Sequence, residues 1–170
     1  MQGGAPMSRA AFALLLALAA APALALQALG VKLGADEGDV RKALPNAICK
    51  ALEWKTDAAD RRCDDARVQF AGTRARLTAY LKAGAVQAID LRINTRDMES
   101  VKRHLRQVYG TPKSEGTEVI PRGEKGERRV FKMLWESGAD RAAFTAPESS
   151  QRAGLSIWRG NFDIEIYRVR

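Results

Sequence analysis

The sequence predicts an α+β fold, an antiparallel sheet backed by helices on one face, written as two tandem helix-plus-sheet repeats. Three observations predict it. The stretches 36–44 and 97–108 each carry apolar residues at helical spacing behind an acidic starter. Each is followed by runs in which apolar and polar residues alternate, the period of a strand. Asp36, Val40 and Leu44 also map onto Asp97, Val101 and Leu105 at one constant offset. The division expected is 1–25 as a signal peptide, 26–94 as the first repeat and 95–170 as the second, the two repeats forming one compact unit.

The N-terminal residues read as an address. Arg9 precedes an Ala/Leu/Phe run that ends in Ala23-Leu24-Ala25, so a short positive region, an apolar core and a small-residue end stand in the order of a secretory signal. Cleavage is expected after Ala25, with Met1 or Met7 as the start. The rival is an uncleaved anchor, but Pro22 interrupts the run and many of its residues are Ala, short of the ~20 strongly apolar residues a span needs. No Cys lies near the cleavage site, so no lipid anchor is written there. The expectation is a periplasmic protein with no transmembrane segment once the signal is removed.

In 36–44, Asp36 can cap a short helix and Asp39 complements its positive end. Val40, Ala43 and Leu44 share a face, and Pro45 stops it. In 97–108, Met98, Val101, Leu105 and Val108 form one stripe that closes at Gly110-Thr111-Pro112. Strands are expected at "AICKALEW", "ARVQFAG", "ARLTAYLK" and "AVQAIDLRI", the last two as a hairpin turned at Ala83-Gly84. After the second helix, strands are expected at "RVFKMLW", "DRAAFT", "AGLSIWR" and "FDIEIYRV", with turns at Gly138 and Gly160-Asn161. Residues 113–129 are Gly-rich, of mixed charge and without apolar period, and read as a solvated loop. Its cations Arg122, Lys125, Arg128 and Arg129 are interleaved with Glu124 and Glu127.

The formal net charge of +8 makes acidic partners available: membrane phosphates, cell-wall polymers or acidic proteins. Export argues against nucleic acid. Two cysteines, Cys49 and Cys63, in an exported chain are most simply a disulfide. No metal site is expected, because zinc wants about four ligands and His104 is the single histidine. His104 lies beside the apolar stripe of the second helix and reads as a packing residue. No nucleophile elbow, phosphate loop or metalloprotease motif is present, so neither a cofactor nor catalysis is expected. A carboxylate pair carries no local signature, and Asp64, Asp65 and Glu136 are the acidic residues nearest to the expected turns.

The stretch "LGADEGDVRKALP" is similar to the turn-helix-turn signature of small outer-membrane assembly lipoproteins, the small protein A / outer membrane lipoprotein A family. Gly34, Val40 and Leu44 fit that pattern. Ala35 stands where Met is usual, Asp36 where a hydroxyl cap is usual and Pro45 where Gly is usual. "YGTP", at 109–112, resembles the ending of the same motif. Two such units with a short disulfide loop also resemble the architecture of secreted beta-lactamase inhibitor proteins. That resemblance implies helices on one side of a curved sheet and an open face that grips a protein partner.

Strand alternation points the same way. Leu77, Ala79 and Leu81 oppose Arg76, Thr78 and Tyr80; Ile89, Leu91 and Ile93 oppose Ala88, Asp90 and Arg92; Leu155 and Ile157 oppose Ser156 and Trp158. In "FDIEIYRV", Phe162, Ile164 and Ile166 oppose Asp163, Glu165 and Tyr167. Arg76, Tyr80, Arg92, Trp158 and Tyr167 would then stand on the solvated face, a composition suited to an interface. The function expected is a non-enzymatic envelope protein that docks a protein or other macromolecule on that face. The alternatives are a small-molecule or anionic-lipid binding module, and a hydrolase built on a carboxylate pair.

Overall fold

The computed structural model describes residues 26–168 apart from 95, 124, 125 and 149. The expected signal peptide at 1–25, Glu124 and Lys125 of the expected basic loop, and the first residue of the second expected repeat lie outside the described residues.

A two-stranded ladder of β1 (Gln27–Ala28) and β2 (Val31–Lys32) leads into α1 (Glu37–Ala43). A meander follows: β3 (Ile48–Ala51), β4 (Arg61–Phe70), β5 (Thr73–Lys82) and β6 (Ala85–Asn94). Then come α2 (Met98–Tyr109) and a second meander, β7 (Ser114–Pro121), β8 (Glu127–Ser137), β9 (Asp140–Pro147) and β10 (Arg152–Arg159), closed by α3 (Phe162–Glu165). All eight strands from β3 to β10 form one antiparallel sheet in the order β3-β4-β5-β6-β10-β9-β8-β7. The two meanders therefore meet through their last strands, β6 and β10.

This overturns the expectation of an α+β sheet backed by helices. The chain is mostly β. Eight strands at the usual spacing make a sheet roughly 33 Å wide. Helices of 7 and 12 residues are only about 10 and 18 Å long and cannot form a layer over it. The helices themselves start where their caps predict. The Asp39 amide donates to Asp36 Oδ1 at 2.8 Å, and the Ser100 amide donates to Asp97 Oδ1 at 2.9 Å.

Two further expectations are corrected. Residues 113–129 are not a solvated loop, because they contain β7 and the start of β8. Every residue of β7 is exposed, so burial imposes no apolar period on it and pairing to β8 alone makes it a strand. "FDIEIYRV" is not a strand either: its first part is α3. Phe162 and Ile166, four apart, are both buried, while Ile164 and Tyr167 are exposed. Helical spacing serves that burial and alternation does not.

One face of the sheet holds the main core. Leu77, Leu91, Leu155, Phe144 and Met133 lie in register across five strands and are buried. Val40 and Leu44 near α1, Val101 and Leu105 of α2, and Val31 of β2 pack into the same cluster. Tyr109 donates its hydroxyl to the Gln27 carbonyl at 2.6 Å and meets Trp135 edge to face, tying α2 to the small ladder and to β8. His104 stacks edge-on against Phe70 at 5.0 Å between centroids, the packing role its position suggested. Cys49 and Cys63 are register partners on β3 and β4 and are joined by a disulfide. The β5–β6 turn at Ala83-Gly84 has φ of 49° and 82°, the left-handed pair that suits a two-residue hairpin. No helix among the described residues is long and apolar enough to cross a membrane.

Candidate functional site

The second face of the sheet is closed at one end and open at the other. The closed end is built by residues 52–60 and α3. Trp158, Phe162, Ile166, Ala58, Ala59 and Ala88 form a second buried cluster there, with Trp54, Leu52 and Tyr80 against it. A four-residue helix leaves its last carbonyls without partners. Two side chains from the 52–60 segment supply them: Trp54 Nε1 donates to the Ile166 carbonyl at 3.3 Å, and the Thr56 hydroxyl donates to the Glu165 carbonyl at 2.8 Å.

The open end lies over β4, β5 and β6, and register sets its side chains in rows. Beside the cover runs Arg62, Tyr80, Ala88 and Trp158. The middle row is Asp64, Thr78, Asp90 and Ser156. The outer row is Arg76, Arg92 and Gly154. A cleft of about 360 Å³ opens among these rows, with Arg62, Asp64, Thr78, Tyr80, Asp90 and Arg92 in its lining.

Each group in the cleft has a definite electrostatic setting. The Thr78 hydroxyl donates to Asp64 Oδ1 at 2.7 Å, and Arg62 Nε lies 2.9 Å from Asp64 Oδ2. That second contact is an ion pair by distance, but its angle makes no hydrogen bond. The Arg62 guanidinium also sits 5.9 Å from the centre of the Trp54 ring. Burial pushes the Asp90 carboxyl above its ordinary range, while a hydrogen bond with Ser156 and the charge of Arg92 pull less strongly the other way. Burial likewise raises the Tyr80 hydroxyl, helped by the nearby charge of Asp90.

Arg76 and Arg92 stand directly opposite one another on β5 and β6, both exposed, and neither has a carboxylate within ion-pair distance among the described residues. A bulge in β4 between Asp65 and Val68 lies beside Arg76, and Asp65 and Ala66 line the cleft there. Asp65 is itself buried and accepts the Arg67 amide at 2.9 Å, holding the bulge. On the other side Arg92 faces Gly154. The two arginines thus rise between positions with little or no side chain.

Of the five residues expected on the solvated face, Arg76, Tyr80 and Arg92 come together in the cleft. Tyr167 is 82% exposed, just beyond α3, and within electrostatic reach of Tyr80. Trp158 is only 8% exposed, covered by α3, and belongs to the packing of the closed end. Sequence reasoning missed Arg62, since the start of β4 was not read as strand. Glu136, on β8, pairs with Lys113, several strands away from β4–β6 in the sheet order and so away from the cleft. The basic cluster is divided: Arg129 pairs with Glu148 at 2.9 Å, and Arg122 and Arg128 are exposed at the end of the β7–β8 hairpin.

No protein-family model, curated protein or solved structure matches the chain.

Proposed function

We propose that this is an exported, non-enzymatic envelope protein, cleaved after Ala25 and resident in the periplasm, that docks a macromolecular partner on the open end of its sheet. One observation carries the reading. The sheet face is sealed at one end by α3 and residues 52–60, yet left uncovered over β4–β6, where Arg76, Arg92 and Tyr80 line or border a concave cleft. Arginine and tyrosine in a concave, solvated patch match the composition of binding hot spots. Tyr167 stands beside this cleft as an exposed aromatic. The disulfide suits an oxidising compartment. The test is affinity capture from the envelope of the source cell with the wild type and with Arg92→Glu. A partner retained equally by both defeats the reading.

One observation favours a second reading, a hydrolase. Asp64 and Asp90 flank Thr78 in one row, and burial raises the Asp90 carboxyl, the direction that suits a proton donor. Two strand spacings put their backbones roughly 9–10 Å apart, near the upper end for inverting glycosidases. Asp64, however, is engaged on one oxygen by Thr78 and on the other by Arg62. Turnover of an envelope glycan that is lost in Asp90→Asn would establish this second reading. Capture of a partner that survives Asp90→Asn fits the first.

A further inference from the structure

We propose that Arg76 and Arg92 act as a pair that holds a carboxylate presented by an acidic polypeptide partner. The inference rests on the open-face reading above and names the chemistry of what docks there.

The first ground is the pairing itself. Like charges directly opposite on adjacent strands oppose folding. Some arginines near this region are paired within the chain, Arg62 with Asp64, Arg61 with Glu37 at 2.8 Å and Arg159 with Asp140 at 2.7 Å, while Arg74, two residues before Arg76 on β5, has no ion pair among the described residues. Arg76 and Arg92 carry no such partner among the described residues, although Asp90 stands two residues from Arg92 on the same face of β6. Asp90 is instead hydrogen-bonded with Ser156 and half-buried. An oxyanion between the two guanidinium groups would relieve the repulsion, and each guanidinium offers a planar fork of donors to it.

The second ground is space. Ala66 at the bulge and Gly154 on β10 leave both flanks of the pair low. Gly154 puts no side chain on this flank, and a Cβ built there would make only ordinary contact with Thr145 Oγ1 at 3.5 Å. A ligand group can reach the arginines from above without displacing a side chain.

The third ground is charge balance, which selects a carboxylate over a phosphate. Asp64 and Asp90 line the same cleft. Asp65, buried at the bulge, lines it too, so three carboxylates already stand with Arg62, Arg76 and Arg92 and the cleft as a whole has no surplus of positive charge. A singly charged group seated between the two guanidinium groups meets less repulsion from these carboxylates than a dianion would. The occupant also has apolar company: Ile48, the register partner of Asp64 on the edge strand, is exposed on this face, and Tyr167 borders it. A polypeptide supplies carboxylates and apolar side chains together.

The test uses the mature protein at about 0.15 M salt, where long-range attraction of a basic chain for any polyanion is screened. Amide and arginine side-chain resonances are followed on titration with N-acetyl-hexaglutamate amide. The expected result is saturable shifts at Arg76 and Arg92, with affinity falling at least about tenfold in Arg76→Gln and in Arg92→Gln, the scale of one charged hydrogen bond. The charge-matched Arg103→Gln variant, which removes the same single charge away from the cleft, should bind like the wild type, and hexaglutamine should not bind. Equal losses in the charge-matched variant, or shifts that never saturate, overturn the proposal. Tighter binding of inorganic phosphate or of phosphatidylglycerol vesicles through the same arginines also overturns it and assigns the pair to phosphate or to a lipid surface. If hexaglutamate fails while capture of an envelope partner still depends on Arg92, the docking face stands and the carboxylate falls.

Discussion

Trp158 lies directly across from Ala88 in the ladder that joins β6 to β10, and the space above the small residue is filled by α3. The indole is therefore a structural plug at the seam between the two meanders. Trp158→Ala should lower stability by ~3–5 kcal/mol, the usual cost of emptying a buried aromatic site. Denaturant midpoints measure this directly. A melting curve left intact would return the ring to the solvated face.

Tyr167 should behave in the opposite way. It is exposed beside α3, and substitution there should shift stability by under ~0.5 kcal/mol. If it contributes to docking, Tyr167→Ala weakens capture of the partner while leaving the melt unchanged. Loss of both together would show that the ring holds α3 in place instead.

Arg92→Gln separates stability from binding by sign. The substitution removes a like charge facing Arg76 and should raise stability by a few tenths to about 1 kcal/mol. The same change should reduce partner capture. A variant that is both less stable and still fully bound would contradict the account of the cleft.

Asp90 predicts a pH dependence. Burial raises its carboxyl above the ordinary value, so its folded pKa lies above its unfolded one. Such a group contributes stability below the unfolded pKa and loses it as pH rises through the folded value. The wild type should therefore lose stability relative to Asp90→Asn as pH rises from the ordinary carboxylate range to above it. Urea midpoints of the two proteins across that range give the answer. Parallel profiles would mean that the carboxyl is better solvated than its place between Thr78 and Ser156 implies.

The disulfide closes a loop with a sequence separation of 14, for which chain entropy predicts a stabilisation of ~3 kcal/mol. Cys63→Ala should cost up to that amount. Mass spectrometry of the exported protein, with and without reductant, checks the bond itself, and two freely alkylated thiols in native protein would count against it.

Elements whose residues face a core were legible in the sequence, and those that face water on both sides were not. Leu77, Ile89 and Leu155 are buried, and alternation told which way β5, β6 and β10 turn their side chains. Asp36 and Asp97 marked the helix starts by hydrogen-bond chemistry that is local to the chain. Nothing local announced β7, because a fully exposed strand has no reason to alternate. The helix at Phe162 was hidden because "FDIEIYRV" satisfies a period of two as well as the four-residue spacing of Phe162 and Ile166, and only contacts with Trp54 and Thr56 decide between them. The same distant contacts moved Trp158 out of the expected site. The facing of Arg76 and Arg92 depended on register, which a hairpin at Ala83-Gly84 suggested but which the irregularity between Tyr80 and Leu81 also shapes.

The joining of β6 to β10 has a consequence for how the chain is made. Every strand from β3 to β6 pairs with its neighbour in sequence, so the first meander can zip up by short-range hairpin closure. Its outer edge at β6, however, waits for a partner that is synthesised only after the whole second meander. Until β10 arrives, Ile89, Leu91 and Ile93 border an unpaired edge, the kind of surface that recruits the wrong strand. The export proposed above, if it delivers the chain from its N-terminus, prolongs that interval. The hazard in the life of this protein then lies in the interval before completion, when a holding chaperone, or a slower neighbour of its own kind, finds the open edge first.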